Sequence, residues 1–310
     1  MKTCIVGAGA LGSAIGGTLA AAGSEVWLVA RAEAHVDAVN AGGLRMLDGD
    51  EERTVRVQAR TNCEGIGPAD LVIVLVKSFH TRDAIAAAAP VIGEHTAVLS
   101  LQNGLGHEDL LADAVGRGRV LAGKTYVGGV LLGPGRVRVG VRGKETVIGE
   151  LDGRVTGRVR AVADEFDRAG LRTAVSESIM GTIWDKLLVN VATGAVSGIT
   201  RLPYGELYAV PELERCAVAA VAEAMRVAEA SGVALSVSDP REAWAKAAEG
   251  LPAEFKTSML QSLEKGSVTE IDFINGAVVR WGERCGVPTP VNAALVACIK
   301  GIERAIGARA

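Results

Sequence analysis

The sequence predicts an α/β domain over residues 1–176 followed by an all-α domain over residues 177–310. Three observations support this prediction. The length of 310 residues suits about two domains of roughly 150 residues each. Short apolar runs alternate with helix-like stretches up to about residue 176, which is the pattern of a parallel sheet covered by helices. Beyond that point only helical patterns follow.

Composition excludes several classes of protein. Apolar residues make up 49% of the chain and charged residues 22%, which is typical of a globular protein. The net charge is −3 and the sequence contains no basic run, so no segment is suited to neutralise the phosphates of a nucleic acid. The apolar runs are too short to span a bilayer, and Met1-Lys2 leads directly into an apolar run without a leader. We therefore expect a cytoplasmic enzyme with no membrane or nucleic-acid partner.

The five cysteines are odd in number and widely spaced. No pair has the short spacing of a metal knuckle or a redox motif. We expect buried, reduced cysteines and no metal site.

The first half alternates strand and helix in order. An apolar run at 3–6 ends in Gly7, a helix follows Gly12, and a second strand covers 25–30. Residues 70–76 form a continuous apolar run, which is typical of a strand buried on both faces. Residues 128–149, with the turn Gly133-Pro134-Gly135, predict an antiparallel hairpin at the sheet margin. Further strands are predicted at 96–101, 120–126 and 171–175, and further helices at 81–89 and 157–169.

The second half contains patterns that suit helices alone. Its apolar helices suit a homodimer interface and suit a core equally well, so the sequence leaves the oligomeric state open. The predicted helices cover 178–200, 212–231, 241–249, 255–265, 269–285 and 292–306.

A glycine-rich fingerprint, Gly7-Ala8-Gly9-Ala10-Leu11-Gly12, lies between the first strand and the first helix. Gly7 allows a tight turn, Gly9 lets the backbone approach a pyrophosphate, and Gly12 lets helix and strand pack closely. The helix N-terminus then offers free N–H groups to the diphosphate. The sequence therefore predicts a Rossmann-type dinucleotide site, against the alternative of an ordinary glycine-rich turn.

Arg31 follows the second strand, where an acidic residue would bind the ribose 2′-hydroxyl of NADH. A guanidinium at this position suits a 2′-phosphate, which favours NADPH. The alternatives are a solvated Arg, or a preference weakened by nearby Glu33.

Two polar residues follow buried strands on the side where parallel sheets bind ligands. Lys77 comes directly after the strand at 70–76, and Asn103 lies in Gln102-Asn103-Gly104 after the strand at 96–101. Asn103 can both donate and accept hydrogen bonds, which suits a nicotinamide ribose or a substrate hydroxyl. Position alone leaves a solvated Lys and an Asn-Gly turn as alternatives.

The helix at 178–200 carries Lys186 and Asn190 on one face, beside an apolar stripe formed by Ile183, Leu187 and Val191. A Lys beside such a stripe either snorkels to solvent or has a function.

Ser258 and Glu270 belong to the next candidate helices. The stretch Ser267-Val268-Thr269-Glu270 fits a capping box at the start of a helix, which gives Glu270 a structural alternative to a catalytic role.

Taken together, these motifs resemble the ketopantoate reductase (2-dehydropantoate 2-reductase) family over nearly the whole chain. The resemblance is carried by the fingerprint, Arg31, Gln102-Asn103-Gly104, Lys186-x-x-x-Asn190, Ser258-Met259-Leu260-Gln261 and Thr269-Glu270-Ile271-Asp272. The resemblance implies NADPH-dependent reduction of 2-dehydropantoate to pantoate, on the route to pantothenate and coenzyme A, with substrate bound between the two domains. It implies that Lys186 is the catalytic lysine and Glu270 the active-site carboxylate. It further implies substrate-binding or organising roles for Asn103, Asn190 and Ser258, and cofactor contacts for Arg31 and Lys77.

The chain departs from this family pattern at Gly194, where a second Asn is usual, and Thr193 precedes it. Because that Asn helps to hold the substrate, the identity of the 2-oxo acid stays open. Two alternatives remain. The first is a related enzyme, either a reductase of another small 2-oxo acid or a β-hydroxyacid dehydrogenase of similar architecture. The second is a non-catalytic NADPH-binding sensor.

Overall fold

A computed structural model describes residues 1–309. The chain divides into two compact units. The first contains Met1–Gln102 and His107–Ile179, and the second contains Asn103–Gly106 and the chain from Met180 onward. The turn at Asn103–Gly106 therefore groups with the second unit, although the sequence pattern assigns it to the first domain. No helix within residues 1–309 has the length and apolarity that crossing a bilayer requires.

The first unit contains two sheets. Its twelve strands are β1 (Lys2–Val6), β2 (Glu25–Val29), β3 (Leu44–Asp48), β4 (Glu51–Val55), β5 (Gln58–Arg60), β6 (Ala69–Val74), β7 (Ile92–Ser100), β8 (Val120–Thr125), β9 (Gly128–Gly133), β10 (Arg136–Gly140), β11 (Thr146–Glu150) and β12 (Thr173–Val175).

The larger sheet has eight strands in the order β12-β11-β8-β7-β6-β1-β2-β5. All neighbours are parallel except β8 and β11, which are antiparallel. In the centre, Ile5 of β1 pairs with Leu28 of β2 and Ile73 of β6. These three side chains are fully buried, as the continuous apolar runs predict for strands covered on both faces.

The smaller sheet corrects one prediction. β9 and β10 do form an antiparallel hairpin, but they belong to a separate four-stranded sheet in the order β4-β3-β10-β9. β10 pairs in parallel with β3, and β11 returns to the larger sheet. The physical reason is burial: Val137 of β10 and Met46 of β3 are completely buried in one core cluster. The hairpin therefore packs within the first unit instead of extending the sheet margin.

Five helices cover the strands of the first unit. The first of them begins at Ala10 with Gly9 as its N-cap, so it includes the last part of the glycine fingerprint. The sequence patterns did not predict the second and the fourth. The five are α1 (Ala10–Ala21), α2 (Glu33–Gly42), α3 (Thr81–Ala87), α4 (His107–Val115) and α5 (Gly157–Arg168).

The second unit is helical. Its helices are α6 (Ile179–Thr200), α7 (Tyr204–Leu207), α8 (Pro211–Ala230), α9 (Pro240–Ala248), α10 (Ser258–Glu264), α11 (Asn275–Cys285) and α12 (Pro290–Ala305), with a short 3-10 helix at Ile271–Phe273.

The predicted helix at 269–285 is correct in its end but starts too early, and its capping box is wrong. The α-helix begins at Asn275, and Glu270 precedes the 3-10 turn. The cause is a long-range contact: the backbone N–H and the hydroxyl of Thr269 both donate to Glu303 Oε1, each at 2.7 Å. These bonds hold the backbone before Glu270 outside the helix.

The five cysteines are free. Cys4 and Cys63 are buried, whereas Cys216 and Cys285 are partly exposed and Cys298 is exposed. The expectation of burial is therefore correct for two of the five. Among residues 1–309, no cluster of three His, Cys, Asp or Glu side chains could hold a metal ion.

Candidate active site

The glycine fingerprint forms a turn that leads into α1. Gly7 has φ +104°, and a Cβ there would lie 2.6 Å from Leu75 C. A Cβ on Gly12 would overlap the carbonyl oxygen of Gly7. Beside Gly9 the space is open, since a Cβ there would meet no atom within 4 Å. The three glycines therefore have the geometry of a tight turn, a close packing contact and an open approach for a ligand.

Arg31, just after β2, contacts a residue that sequence reasoning missed. Its Nη2 donates to Nε2 of His80 at 3.1 Å, and the imidazole must accept because a guanidinium only donates. Partial burial and the nearby Arg31 charge lower the pKa of His80, and Asp83 opposes this shift. The signal for His80 was its place three residues after Lys77, beyond the end of a buried strand.

Gln102 links the ends of two central strands. Its Nε2 donates to Val76 O and to Thr81 Oγ1, both at 2.8 Å, and its Oε1 accepts from Ser100 Oγ at 3.1 Å. Because Val76 immediately precedes Lys77, these bonds fix the backbone from which the exposed Lys77 side chain emerges. The sequence motif contained Gln102, but its role in joining β6 and β7 depends on strand order.

The turn that carries Asn103 is bonded to the segment that carries Glu270. The N–H of Leu105 donates to Phe273 O at 2.9 Å, and the N–H of Phe273 donates to Glu270 O at 2.9 Å. A Cβ on Gly104 would overlap the Phe273 carbonyl oxygen. Two separate sequence predictions, Asn103 and Glu270, therefore lie on segments of the second unit that are in direct contact.

The predicted apolar stripe of α6 is buried, with Ile183, Leu187 and Val191 almost inaccessible to solvent. Lys186 and Asn190 occupy the adjoining face and are half-buried. The Nδ2 atom of Asn190 is buried and has no hydrogen-bond partner within residues 1–309. A buried donor without an acceptor costs about 1–3 kcal/mol, so this amide is suited to a ligand oxygen.

One turn further along α6, Gly194 faces the helix that begins with Ser258. Apart from the nearby backbone of α6 itself, a Cβ on Gly194 would meet one atom of residues 1–309 within 4 Å, Met259 Cε at 3.4 Å. This contact brings the helix that begins with the exposed Ser258 next to α6 at Gly194.

Thr193 does not fill the space beside Gly194. Its Oγ1 lies 3.3 Å from Val189 O and 3.1 Å from the hydroxyl of Tyr204. Burial raises the pKa of Tyr204, while the bond to Thr193 lowers it. The Thr193 hydroxyl is thus engaged inside the unit and does not replace an amide at position 194.

Comparison with known proteins decides the family. The sequence profile of ketopantoate reductase PanE/ApbA matches residues 3–153, and the profile of its C-terminal domain matches residues 178–303. The chain belongs to this family.

Relatives in the ketopantoate reductase family match the chain almost end to end. The 2-dehydropantoate 2-reductase of Pyrococcus horikoshii is 37% identical over 303 residues, covering 98% of each chain. That of Halobacterium salinarum is 36% identical over 308 residues, covering 98% of this chain and 99% of the relative.

Solved structures also match the chain over nearly its whole length. A PanE/ApbA family ketopantoate reductase from Ralstonia eutropha JMP134 matches with a TM-score of 0.90 and 38% identity, covering 99% of this chain and 100% of the other. A D-mandelate dehydrogenase, solved with NADH and anilino(oxo)acetate, also matches with a TM-score of 0.90, at 28% identity and the same coverage.

Within this ketopantoate reductase fold, the predicted site residues fall into two groups. The fingerprint, Arg31 and Lys77 lie in the first unit, next to strand ends of the larger sheet. Asn103, Lys186, Asn190, Ser258 and Glu270 lie in the second unit. Sequence reasoning missed His80, Gln102 as a strand link and Gly104 as a contact residue.

Proposed function

We propose that this chain reduces 2-dehydropantoate to pantoate with NADPH. The observation that carries the proposal is the face of α6, where the buried, unpaired amide of Asn190 lies one turn from Lys186. An amide donor and an ammonium suit the oxygens of a 2-oxo acid. Relatives similar over the whole chain that are named 2-dehydropantoate 2-reductase support the choice of substrate.

The first unit fits a dinucleotide. The open space beside Gly9 admits a pyrophosphate, and the first N–H groups of α1, on Ala10 and Leu11, have no intrahelical acceptor. Arg31 and Lys77 suit the phosphate charges, and Arg31 favours a 2′-phosphate over a free 2′-hydroxyl. When bound, the nicotinamide supplies the hydride that adds to C2 of the oxo acid.

Lys186 provides the proton in this proposal. As the C2 carbonyl is reduced, its oxygen develops negative charge, which the ammonium stabilises. The Lys186 Nζ–H bond breaks, a new O–H bond forms on the former carbonyl oxygen attached to C2, and the lysine regains a proton from water. Asn190 and Ser258 hold the substrate carboxylate and hydroxyl, Asn103 orients the reacting end, and Glu270 accepts a hydrogen bond from the substrate hydroxyl.

The overall charge of the chain agrees with a small anionic substrate. A small anionic 2-oxo acid needs only a few placed cations, which agrees with a net charge of −3 and no basic run. We therefore propose that the partner of this chain is its small-molecule substrate. The reductase activity named for its relatives supports a cytoplasmic enzyme.

The test is NADPH oxidation by the purified chain with 2-dehydropantoate, repeated with NADH. We expect turnover with NADPH and a lower kcat/KM with NADH. Tight NADPH binding without turnover on any 2-oxo acid would instead support a non-catalytic NADPH sensor.

A second candidate function is the reduction of a different 2-oxo acid. Gly194 favours it, because a glycine offers no side chain that could bind or limit the substrate at the position where the family usually has an Asn. The similar D-mandelate dehydrogenase structure carries the bulky anilino(oxo)acetate. A panel of branched and aromatic 2-oxo acids, with 2-dehydropantoate as reference, separates the two candidates through kcat/KM.

A further inference from the structure

A chain of three buried hydrogen bonds lies behind the glycine fingerprint. The N–H of Gly135 lies 3.1 Å from His35 Nδ1, and His35 Nε2 lies 3.1 Å from Ser13 Oγ. Ser13 Oγ in turn donates to Ala8 O at 3.1 Å. His35 is 5% exposed, Ser13 0% and Ala8 1%. The chain therefore joins the turn between β9 and β10 to the fingerprint through α2 and α1.

The direction of all three bonds follows from the Gly135 N–H, the donor at the start of the chain. A backbone N–H only donates, so Nδ1 of His35 accepts and the imidazole proton lies on Nε2. His35 Nε2 then donates to Ser13 Oγ, which leaves the Ser13 hydroxyl proton for Ala8 O. Burial lowers the pKa of His35, which favours the neutral ring that this arrangement needs.

The last bond sets the orientation of the peptide between Ala8 and Gly9 in the fingerprint. The Ala8 carbonyl points to a fully buried hydroxyl, and the N–H of the same peptide, on Gly9, donates to Gly7 O at 2.8 Å. A carbonyl oxygen turned outward would repel a pyrophosphate, whereas the N–H groups at the start of α1 attract it. The Ala8 carbonyl is therefore bonded inward and not directed to the open side of the turn beside Gly9, where the first N–H groups of α1, on Ala10 and Leu11, have no intrahelical acceptor.

We propose that His35, acting through Ser13, is a positioning residue for the dinucleotide pyrophosphate. It contacts neither cofactor nor substrate, and it works by keeping the Ala8 carbonyl turned away from the phosphates. The inference rests on the proposed function, because it requires a dinucleotide in the first unit. It assigns the effect to the pyrophosphate, which NADPH and NADH share.

Three variants test the proposal, with the Kd of NADPH and of NADH as the readout. Ser13→Ala removes the bridge, and His35→Asn keeps an acceptor near Nδ1 but removes the donor at Nε2. We expect each to raise both Kd values about tenfold, the equivalent of one hydrogen bond. His35→Gln places an amide N–H near Nε2 and should stay within about threefold of the wild type. The kcat at saturating cofactor should be unchanged.

Thr18→Val is the matched control. Thr18 is a buried hydroxyl residue of the same helix, and its Oγ1 donates to Ala14 O at 2.7 Å, away from the fingerprint. We expect its Kd values to equal those of the wild type. Equal losses in Thr18→Val and Ser13→Ala, or equal losses in His35→Gln and His35→Asn, would show a packing role and overturn the proposal. Failure of the wild type to bind NADPH would instead overturn the proposed function.

Discussion

The N–H of Leu105 donates to the carbonyl of Phe273 at 2.9 Å, although 168 positions separate the two residues in the chain (273 − 105). The bond attaches the turn of Asn103 to the segment of Glu270. Both residues are therefore placed by one backbone contact within the second unit.

Gly104→Ala should disrupt this contact. Gly104 has φ +96°, and a Cβ would overlap the Phe273 carbonyl oxygen. The positive φ alone costs an Ala about 1 kcal/mol, and the overlap must add to that cost. We expect kcat/KM for the 2-oxo acid to fall at least tenfold, with the Kd of NADPH nearly unchanged.

Gly106→Ala is the control for Gly104→Ala. Gly106 has nearly the same backbone strain, with φ +98°, but a Cβ there would meet no atom within 4 Å. The difference between the two variants in steady-state kinetics and in thermal unfolding isolates the contact with Phe273. Identical behaviour would mean that the contact has no role in the site.

The sequence predicted the parts of this molecule that depend on local pattern. The continuous apolar run identifies β6, because a strand buried on both faces is apolar at every position. The apolar stripe identifies α6, because a helix buried on one face repeats apolar residues with the helical period. The fingerprint identifies its own turn because the spacing of its three glycines is a local feature of the sequence.

Long-range contacts explain the failures. β4, with the sequence Glu-Glu-Arg-Thr-Val, shows no alternation and is a strand only because it pairs with β3. The capping box before Glu270 was a sound local pattern, but Thr269 bonds to Glu303 instead. The pairs Gly104–Phe273 and Arg31–His80 likewise bring together residues whose separation in the chain gives no signal.

Replacing Lys186 with Ala should lower turnover by about 10²–10⁴ if it is the general acid. Lys186→Arg keeps the positive charge but is a poor proton donor at neutral pH, so it should recover substrate affinity more than kcat. Lys246→Ala, at an exposed lysine of α9, serves as the control and should behave as the wild type. Near-normal kcat in Lys186→Ala would exclude the proposed role.

The Arg31–His80 pair predicts proton-linked binding of NADPH. In the free protein, burial and Arg31 lower the pKa of His80, so the ring is neutral at neutral pH. A 2′-phosphate beside the ring would raise this pKa, because an opposite charge favours the protonated form. Binding would then take up a proton, and affinity should rise as pH falls from about 8 to about 6.5.

Isothermal titration of NADPH across this pH range measures the effect, which we expect to be about threefold or more. NADH lacks the 2′-phosphate and should show a flat profile. His80→Asn should flatten the NADPH profile, leaving only the titration of the phosphate itself. Arg31→Ala should weaken NADPH and spare NADH, and a parallel loss of both cofactors would argue against 2′-phosphate recognition.

Gly194→Asn should change substrate preference. A Cβ at this buried position would make an ordinary van der Waals contact with Met259 Cε, the flexible end of a side chain, and Thr193 is engaged by Val189 and Tyr204. An amide one turn from Asn190 adds a donor and an acceptor for a hydroxylated 2-oxo acid and narrows the space for a bulky one. We expect kcat/KM for 2-dehydropantoate to rise relative to that for an aromatic 2-oxo acid, by about tenfold.

Gly194→Ala separates the amide from the effect on the helix. Ala stabilises a helix interior by about 1 kcal/mol relative to Gly, so this variant should melt at a higher temperature. It brings no hydrogen-bonding group and should leave the ratio of the two kcat/KM values nearly unchanged. An equal shift of that ratio in both variants would assign the effect to volume instead of to the amide.

Glu303 should control the position of Glu270 through Thr269. Two donors of the nearly inaccessible Thr269 bond to Glu303 Oε1 at 2.7 Å, and Lys300 Nζ lies 3.4 Å from Oε2. Glu303→Ala leaves both donors buried without an acceptor, at a cost of about 1–3 kcal/mol for each. We expect a lower melting temperature and a fall in kcat, while the Kd of NADPH, bound by the first unit, stays the same.

Two further variants show whether the effect of Glu303→Ala passes through Thr269. Thr269→Val keeps the backbone N–H bond to Glu303 and loses the hydroxyl, together with the bond that this hydroxyl accepts from Ile271 N–H, so kcat should also fall. Lys300→Met removes the ion pairs of Lys300 with Glu303 and Asp272 but leaves both Thr269 bonds in place, so kcat should be nearly normal. If Lys300→Met reduced kcat as strongly as Glu303→Ala, the ion pairs of Lys300 would govern the position of Glu270. Thr269 would then have no part in placing that carboxylate.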